Sequence, residues 1–498
     1  MTAFAEYDQH DAVGLADLVR TGAAHPRELL EAAIANVERS NASVNAVVHK
    51  FYERAMHFAD GPIPSGPLAG VPFLLKDLGS AMSGIPLTGG SRYLMQFTPD
   101  YDSEIVARYK EAGLVIFGKT NTPEFGLVAV TEPELHGPTH NPWDLTRTPG
   151  GSSGGAAAAV AAGYVPAAHA SDGGGSIRIP ASACGLFGIK PTRGRVPHGP
   201  AAGDPGFGLT QTHAITRSVR DSALLLDIAR GHDHGAPYQI REPDRPYIDE
   251  VDVDPGKLRI GFTNQALFGT ETHPDCVEAV EKTVVLLEGL GHRVEEVSIP
   301  FDRQRMPSTF VRIWAASLAG DLETMQLATG KKLHPDHFEL TTWLLAVIGR
   351  KLSAAELAAD VGFMHSESRR VQTAWRDHDV IVTPTLARPP VKIGELAPTE
   401  SQIRQMKVLI KAPVRMLLDR ALAEVAGENM APVPNTMLFN MTGQPAMSVP
   451  LHWNSEDLPI GVQFVGRWGD EATLFRLASQ LQAAQPWWHR RPPPVHGE

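Results

Sequence analysis

Two serines bedded in glycine, Ser152 and Ser176, flank an alanine-rich run and constrain this chain more than any other feature. The first lies in Pro149-Gly-Gly-Ser-Ser-Gly-Gly155, the second in Ser171-Asp-Gly-Gly-Gly-Ser-Ile-Arg178. Glycine permits sharp turns and close approach of backbone to a ligand. The alanine run reads as a helix that folds the two loops against each other. Successive N–H groups in the turn at 173–176 aim at one spot and suit a developing oxyanion. Ser176 is therefore the candidate nucleophile. A phosphate cradle is the competing use of such glycines, but G-x-x-x-x-G-K-[ST] is missing and no G-x-G-x-x-G follows a strand. No nucleophile elbow with a histidine partner is readable around Ser176 either.

A serine hydroxyl is a weak nucleophile and needs a base. Val71–Leu75 reads as a buried strand that ends in Lys76-Asp77. A lysine there must find a partner or lose its proton. Snorkelling to the surface or pairing with Asp77 is the plainer outcome. The alternative is a neutral base, since Val71, Phe73, Leu74 and Leu75 desolvate the amine and Ser–Lys arrangements replace Ser–His–Asp. Ser152 then carries the proton where Lys76 and Ser176 are too far apart.

The remainder reads as alternating strands and helices, the pattern of a sheet sandwiched by helices. The length allows two or three domains or one large α/β domain, and one α/β domain with a twisted mixed sheet covered on both faces is expected. N-terminal helices fill 1–60, with a strand or more helix at Val44–Val48. The serine-bearing core spans 65–230, with strands at Leu114–Gly118 and Leu186–Ile189 and a short helix over 180–184. The rest of the sheet spans 255–490, with strands near 258–262, 294–297, 379–382, 446–449 and 461–465. Helical segments at 302–376 and 386–430 border the substrate entrance. His232 and His234 flank Asp233 in a solvated loop, with no further ligands at metal spacing. Two cysteines cannot build a disulfide framework or a CxxC zinc site, and they suit a reducing cytoplasm. The net charge of −11 disfavours nucleic acid and anionic membrane. No signal peptide is readable, and no apolar run is long enough for a span.

Seven strings together resemble the amidase signature family of serine hydrolases. They are Gly-Val-Pro-Phe-Leu-Leu-Lys-Asp (70–77), Gly-Lys-Thr-Asn-Thr-Pro-Glu-Phe (118–125), the two serine loops (149–155 and 171–182), Gly-Ile-Lys-Pro-Thr-Arg-Gly-Arg (188–195), Asn-Met-Thr-Gly-Gln-Pro-Ala (440–446) and Leu-Pro-Ile-Gly-Val-Gln-Phe-Val (458–465). They occur in family order across nearly the whole chain. The resemblance implies Lys76 as catalytic lysine, Ser152 as bridging serine after a cis peptide bond, and Ser176 as acylated nucleophile. It implies an oxyanion hole from the amides of Gly173, Gly174, Gly175 and Ser176. Ser153, Asp172 and Arg178 fall at supporting positions, the last two as a structural ion pair beneath the loop. No metal or other cofactor is implied.

Gly173 departs from the family, which often carries a larger residue there. Its loss of a side chain beside the scissile carbonyl points to a wider pocket or a looser oxyanion hole. The strings at 118–124, 131–134 and 141–145 are most similar to 6-aminohexanoate-cyclic-dimer hydrolases and carbamate-cleaving amidases. That implies uncharged secondary or cyclic amides, aryl amides or urethanes as small-molecule substrates, for a monomer or homodimer. Phe125, Leu127 and Trp314 are candidate pocket residues, although core packing is the commoner role for such side chains. A glutamine amidotransferase subunit, working with partner chains on charged tRNA, is the alternative within the resemblance. A scaffold that kept the fold but lost turnover is a further one, although all three reactive positions are present.

Overall fold

The computed structural model describes residues 4, 6–268, 270–418, 420, 421, 427 and 431–495. Their strands are β1 (Val47–Lys50), β2 (Pro72–Lys76), β3 (Val115–Thr120), β4 (Ala167–Asp172), β5 (Phe187–Lys190), β6 (Gln211–Thr216), β7 (Arg259–Phe262), β8 (Arg293–Glu296), β9 (Val380–Pro384), β10 (Ala446–Trp453) and β11 (Pro459–Gly466). All join one sheet in the order β1-β3-β2-β4-β6-β5-β10-β11-β9-β7-β8. β2 runs parallel to β3 and β4, and β7 parallel to β8 and β9. The remaining neighbours are antiparallel. Helices flank this sheet, so the chain is a single α/β domain with a mixed sheet.

Two strands, β4 and β6, stand where the sequence pattern gave none. Ala-Ala-His-Ala-Ser-Asp and Gln-Thr-His-Ala-Ile-Thr carry few of the branched or aromatic residues that mark strands. Small side chains suit β4 because the alanine-rich helix Gly154–Ala161 lies against it, with every residue of that helix buried. The first strand also begins later than the apolar pattern indicated. The helix Pro26–Val44 runs through Val44 and stops at Asn45, whose left-handed backbone (φ 52°) is held by its amide on the carbonyls of His136 and Pro138. Of the segment 386–430, the helix Glu400–Lys411 is seen. The expectation for its last part falls largely outside the described residues.

A large apolar core lies around the sheet, and a second joins the helices Arg305–Thr329, Leu340–Lys351, Ala354–Ala374 and Met437–Thr442. The second core carries the variable helices up to the site.

Candidate active site

β2 and β4 run parallel in register, Leu74 beside Ala168, so their carboxyl ends emerge together. Lys76 closes β2 and Asp172 closes β4. Ligand sites of α/β sheets lie at such strand ends. Successive strand side chains point to opposite faces, so Lys76 and the next residue, Asp77, cannot pair. Asp77 turns to Lys119 (3.6 Å) and His49 (3.3 Å), while Lys76 turns to the serines. The snorkelling reading fails as well, because Lys76 is fully buried.

Lys76 Nζ donates to Ser152 Oγ at 2.7 Å and to Ser171 Oγ at 3.1 Å. Its neighbours are neutral hydroxyls, and burial pushes its pKa down to about 7; Asp172 opposes the shift. The amine is thus available as a base near neutral pH. The Lys76 backbone N–H donates to His169 Nδ1 at 3.3 Å, and His169 Nε2 lies 2.8 Å from Thr212 Oγ1. Burial pushes His169 down to about 3, so the ring is neutral, with Nδ1 accepting and Nε2–H on Thr212. It positions Lys76 without adding a charge beside it. Ser171 and His169 were missed by sequence reasoning because the strand that carries them was not recognised.

The peptide bond before Ser152 is cis. Ser152 and Ser176 line one cavity of about 140 Å³. Ser153 ties the two serine loops together. Its N–H donates to Ser176 O at 3.3 Å and its Oγ to Ser171 O at 3.1 Å. Asp172 organises the second loop, accepting from the amides of Gly175 (2.7 Å) and Ile177 (3.1 Å). Gly175 N–H is therefore already committed. No protein acceptor among the described residues takes the amides of Gly174 and Ser176, which border the cavity.

Asp172 and Arg178 are fully buried and pair through two parallel contacts of 2.9 Å. Despite the burial, which opposes it, the guanidinium holds the carboxyl well below the usual carboxylate range. Arg178 also donates to Thr436 O, Gln463 Oε1 and Asn440 Oδ1, and Asn440 donates back to Asp172 Oδ1 at 2.8 Å. Every arm of the pair has a partner, as a buried ion pair requires. Asn440 and Gln463 lie in strings that the sequence had marked without assigning them roles.

Phe125, Leu127 and Trp314 all stand on the cavity wall, joined by Phe310, Leu345 and Met437. Phe125 also belongs to the second core, so lining and packing coincide. No lining residue is charged or a histidine among those described. Gly173 does not leave open space, because the Trp314 indole fills it. The expected widening is replaced by an aromatic wall.

One polar cluster lies on the opposite face of β2. His49, Asp77 and His136 bring ligand-type atoms within 4.8 Å of one another. Thr88 N–H already donates to the Asp77 carboxylate. The buried Lys119 ammonium, pushed down to about 8 by desolvation, faces the same carboxylate. That places a positive group where a cation would sit, so the cluster reads as polar support beneath β2. The loop at His232 and His234 is exposed, and Asp233 accepts from Gly199 N–H.

The Amidase family model matches residues 28–475, and the chain belongs to this amidase signature family. It is an amide C–N hydrolase by that membership. A 6-aminohexanoate-cyclic-dimer hydrolase of Pseudomonas sp. (strain NK87) is 37% identical over 97% of this chain and 96% of the relative. A solved 6-aminohexanoate cyclic dimer hydrolase with bound substrate superimposes with a TM-score of 0.91 at 36% identity, covering 98% of this chain and all of the other. A bacterial aryl acylamidase superimposes with a TM-score of 0.82 at 28% identity, covering 96% of each chain. Among the described residues, no helix is long and apolar enough to cross a membrane.

Proposed function

We propose that this chain hydrolyses uncharged secondary, cyclic or aryl amides, or carbamates, through an acyl ester on Ser176. The carrying observation is the buried Lys76, shifted toward neutrality, 2.7 Å from Ser152 at the base of a cavity without charged walls. An uncharged apolar cavity disfavours ionic substrates, because nothing in it offsets their desolvation. The activities for which the relatives are named, on a cyclic amide dimer and on aryl amides, fall in this class.

Ser176 Oγ attacks the carbonyl carbon. Its proton passes to Ser152 Oγ, whose own proton passes to the Lys76 amine. The amides of Gly173, Gly174 and Ser176 hold the oxyanion, with Gly175 stiffening the loop through Asp172. Collapse breaks the C–N bond, and the Lys76 ammonium returns a proton through Ser152 to the leaving nitrogen. Water then repeats the path, releasing the acid and restoring the amine. The buried free thiols Cys184 and Cys276 fit a reducing cytoplasm.

The test is turnover of purified chain on 6-aminohexanoate cyclic dimer, anilides, primary amides and aryl carbamates. Hydrolysis of the first two classes is expected without any partner. Activity only on glutamine, and only with added partner chains, would sink the proposal in favour of an amidotransferase subunit.

A further inference from the structure

The helix Arg305–Thr329 meets the oxyanion loop through two rings. Phe310 and Trp314 stand one turn apart, an i, i+4 pair on one helix face, and their rings pack edge to face at 6.2 Å. A β-carbon placed on Gly173 would fall 2.4 Å from Trp314 Cζ2, 2.9 Å from Cη2 and 3.0 Å from Thr210 Oγ1. One placed on Gly174 would fall 2.8 Å from Phe310 Cζ. Neither glycine has a positive φ. Their conformations therefore do not demand glycine; the adjoining rings do. The indole is backed by Phe310 on one side and lies near Gly206 on another, so it has little freedom to retreat. Trp314, Gly173, Gly174 and Ser176 all border the same cavity.

We propose that Gly173 and Trp314 form a matched pair that sets acyl specificity. The missing side chain at 173 admits the indole as a flat, rigid wall beside the acylated serine. A carbonyl held by the Gly174 and Ser176 amides brings its adjacent carbon against that wall. Straight methylene chains and planar groups pass along the ring, and chains branched next to the carbonyl collide with it. This rests on the hydrolytic reading of Ser176 above.

The test compares para-nitroanilides of two isomeric six-carbon acids, hexanoic and 2-ethylbutanoic, which differ in branching but not in carbon number. Wild type should favour the straight chain. Trp314→Ala should raise the branched-to-straight ratio of kcat/KM by about 10-fold or more, the scale on which one or two carbons are discriminated in apolar pockets. Gly173→Ala alone should lower kcat/KM for the straight chain by about 10-fold, because its β-carbon displaces the indole. In Gly173→Ala/Trp314→Ala the alanine should add no further loss, a non-additivity expected only of residues in contact. Urea melts of the same four proteins check the contact apart from catalysis: Gly173→Ala should lower the midpoint only when Trp314 is present. Active variants with an unchanged ratio, or additive losses in the double variant, overturn the pair alone. A wild type that cleaves neither anilide, yet cleaves other uncharged amides, overturns the acyl-wall assignment. A wild type that cleaves none of them overturns the hydrolytic reading beneath it.

Discussion

Lys76 is caught between stability and chemistry. Burial without a carboxylate in hydrogen-bond contact makes its charged form unfavourable, and that same penalty delivers a neutral base. The folded pKa is about 7 against 10.5 unfolded, so between these values the unfolded chain binds the extra proton. Stability from this group therefore rises with pH across that window. Lys76→Met should abolish turnover yet raise the melting temperature at pH 7, with the gain shrinking toward pH 10; thermal melts across that range check both signs. The acid limb of kcat/KM should titrate near pH 7, where the amine gains its proton. Ser176→Ala should abolish turnover and labelling by a fluorophosphonate. Ser152→Ala should cost about 10²-fold or more in kcat, the usual scale of a lost proton-transfer partner; an unchanged rate would remove Ser152 from the relay. The roles proposed for these residues could be suggested from the sequence because nucleophile, base and glycine amides each demand a particular residue type. That of Ser171 could not, since it comes only from the hydrogen bond that Lys76 makes to it across to the neighbouring strand.

At the scale of elements, the loop after β4 is held by the Asp172–Arg178 pair and clamped by Asn440 from the helix Met437–Thr442. Arg178→Met leaves a buried carboxylate without its cation and should cost about 3–5 kcal/mol in urea unfolding. The apolar pattern located most strands of the sheet within a few residues. It failed at β4, where alanine, serine and histidine replace branched residues because a helix lies directly on the strand. The helix Arg305–Thr329 was readable as helix, but its contact with the oxyanion loop was not. Trp314 was a candidate pocket residue in the sequence and Phe310 was not singled out; only the packing shows that their rings rest on Gly173 and Gly174.

Across the whole molecule, the helix Leu340–Lys351 is latched to the segment 124–134 through the buried Glu124 and the half-buried Glu339. Glu339, capping the helix Leu340–Lys351, donates its N–H to Glu124 Oε2 and accepts from Glu134 N–H, both at 2.8 Å. Desolvation, with Glu124 and Glu134 nearby, pushes Glu339 up to about 7. A carboxyl with a raised folded pKa stabilises below its ordinary value, and that contribution is lost as pH climbs to about 7. Glu339→Gln, which keeps an acceptor for Glu134, should match wild type near pH 4 and melt higher than it at pH 8. Equal melting temperatures at pH 8 would remove the latch from the account. The latch and the aromatic wall reach the site differently. Glu339 uses hydrogen bonds with fixed directions, whereas Phe310 and Trp314 touch the loop by ring on bare backbone, with no hydrogen bond between them among the described residues. Contacts of that kind have no donor or acceptor to preserve. Replacing a ring on that one helix face therefore reshapes the cavity wall without removing any hydrogen bond of Lys76, Ser152 or Asp172.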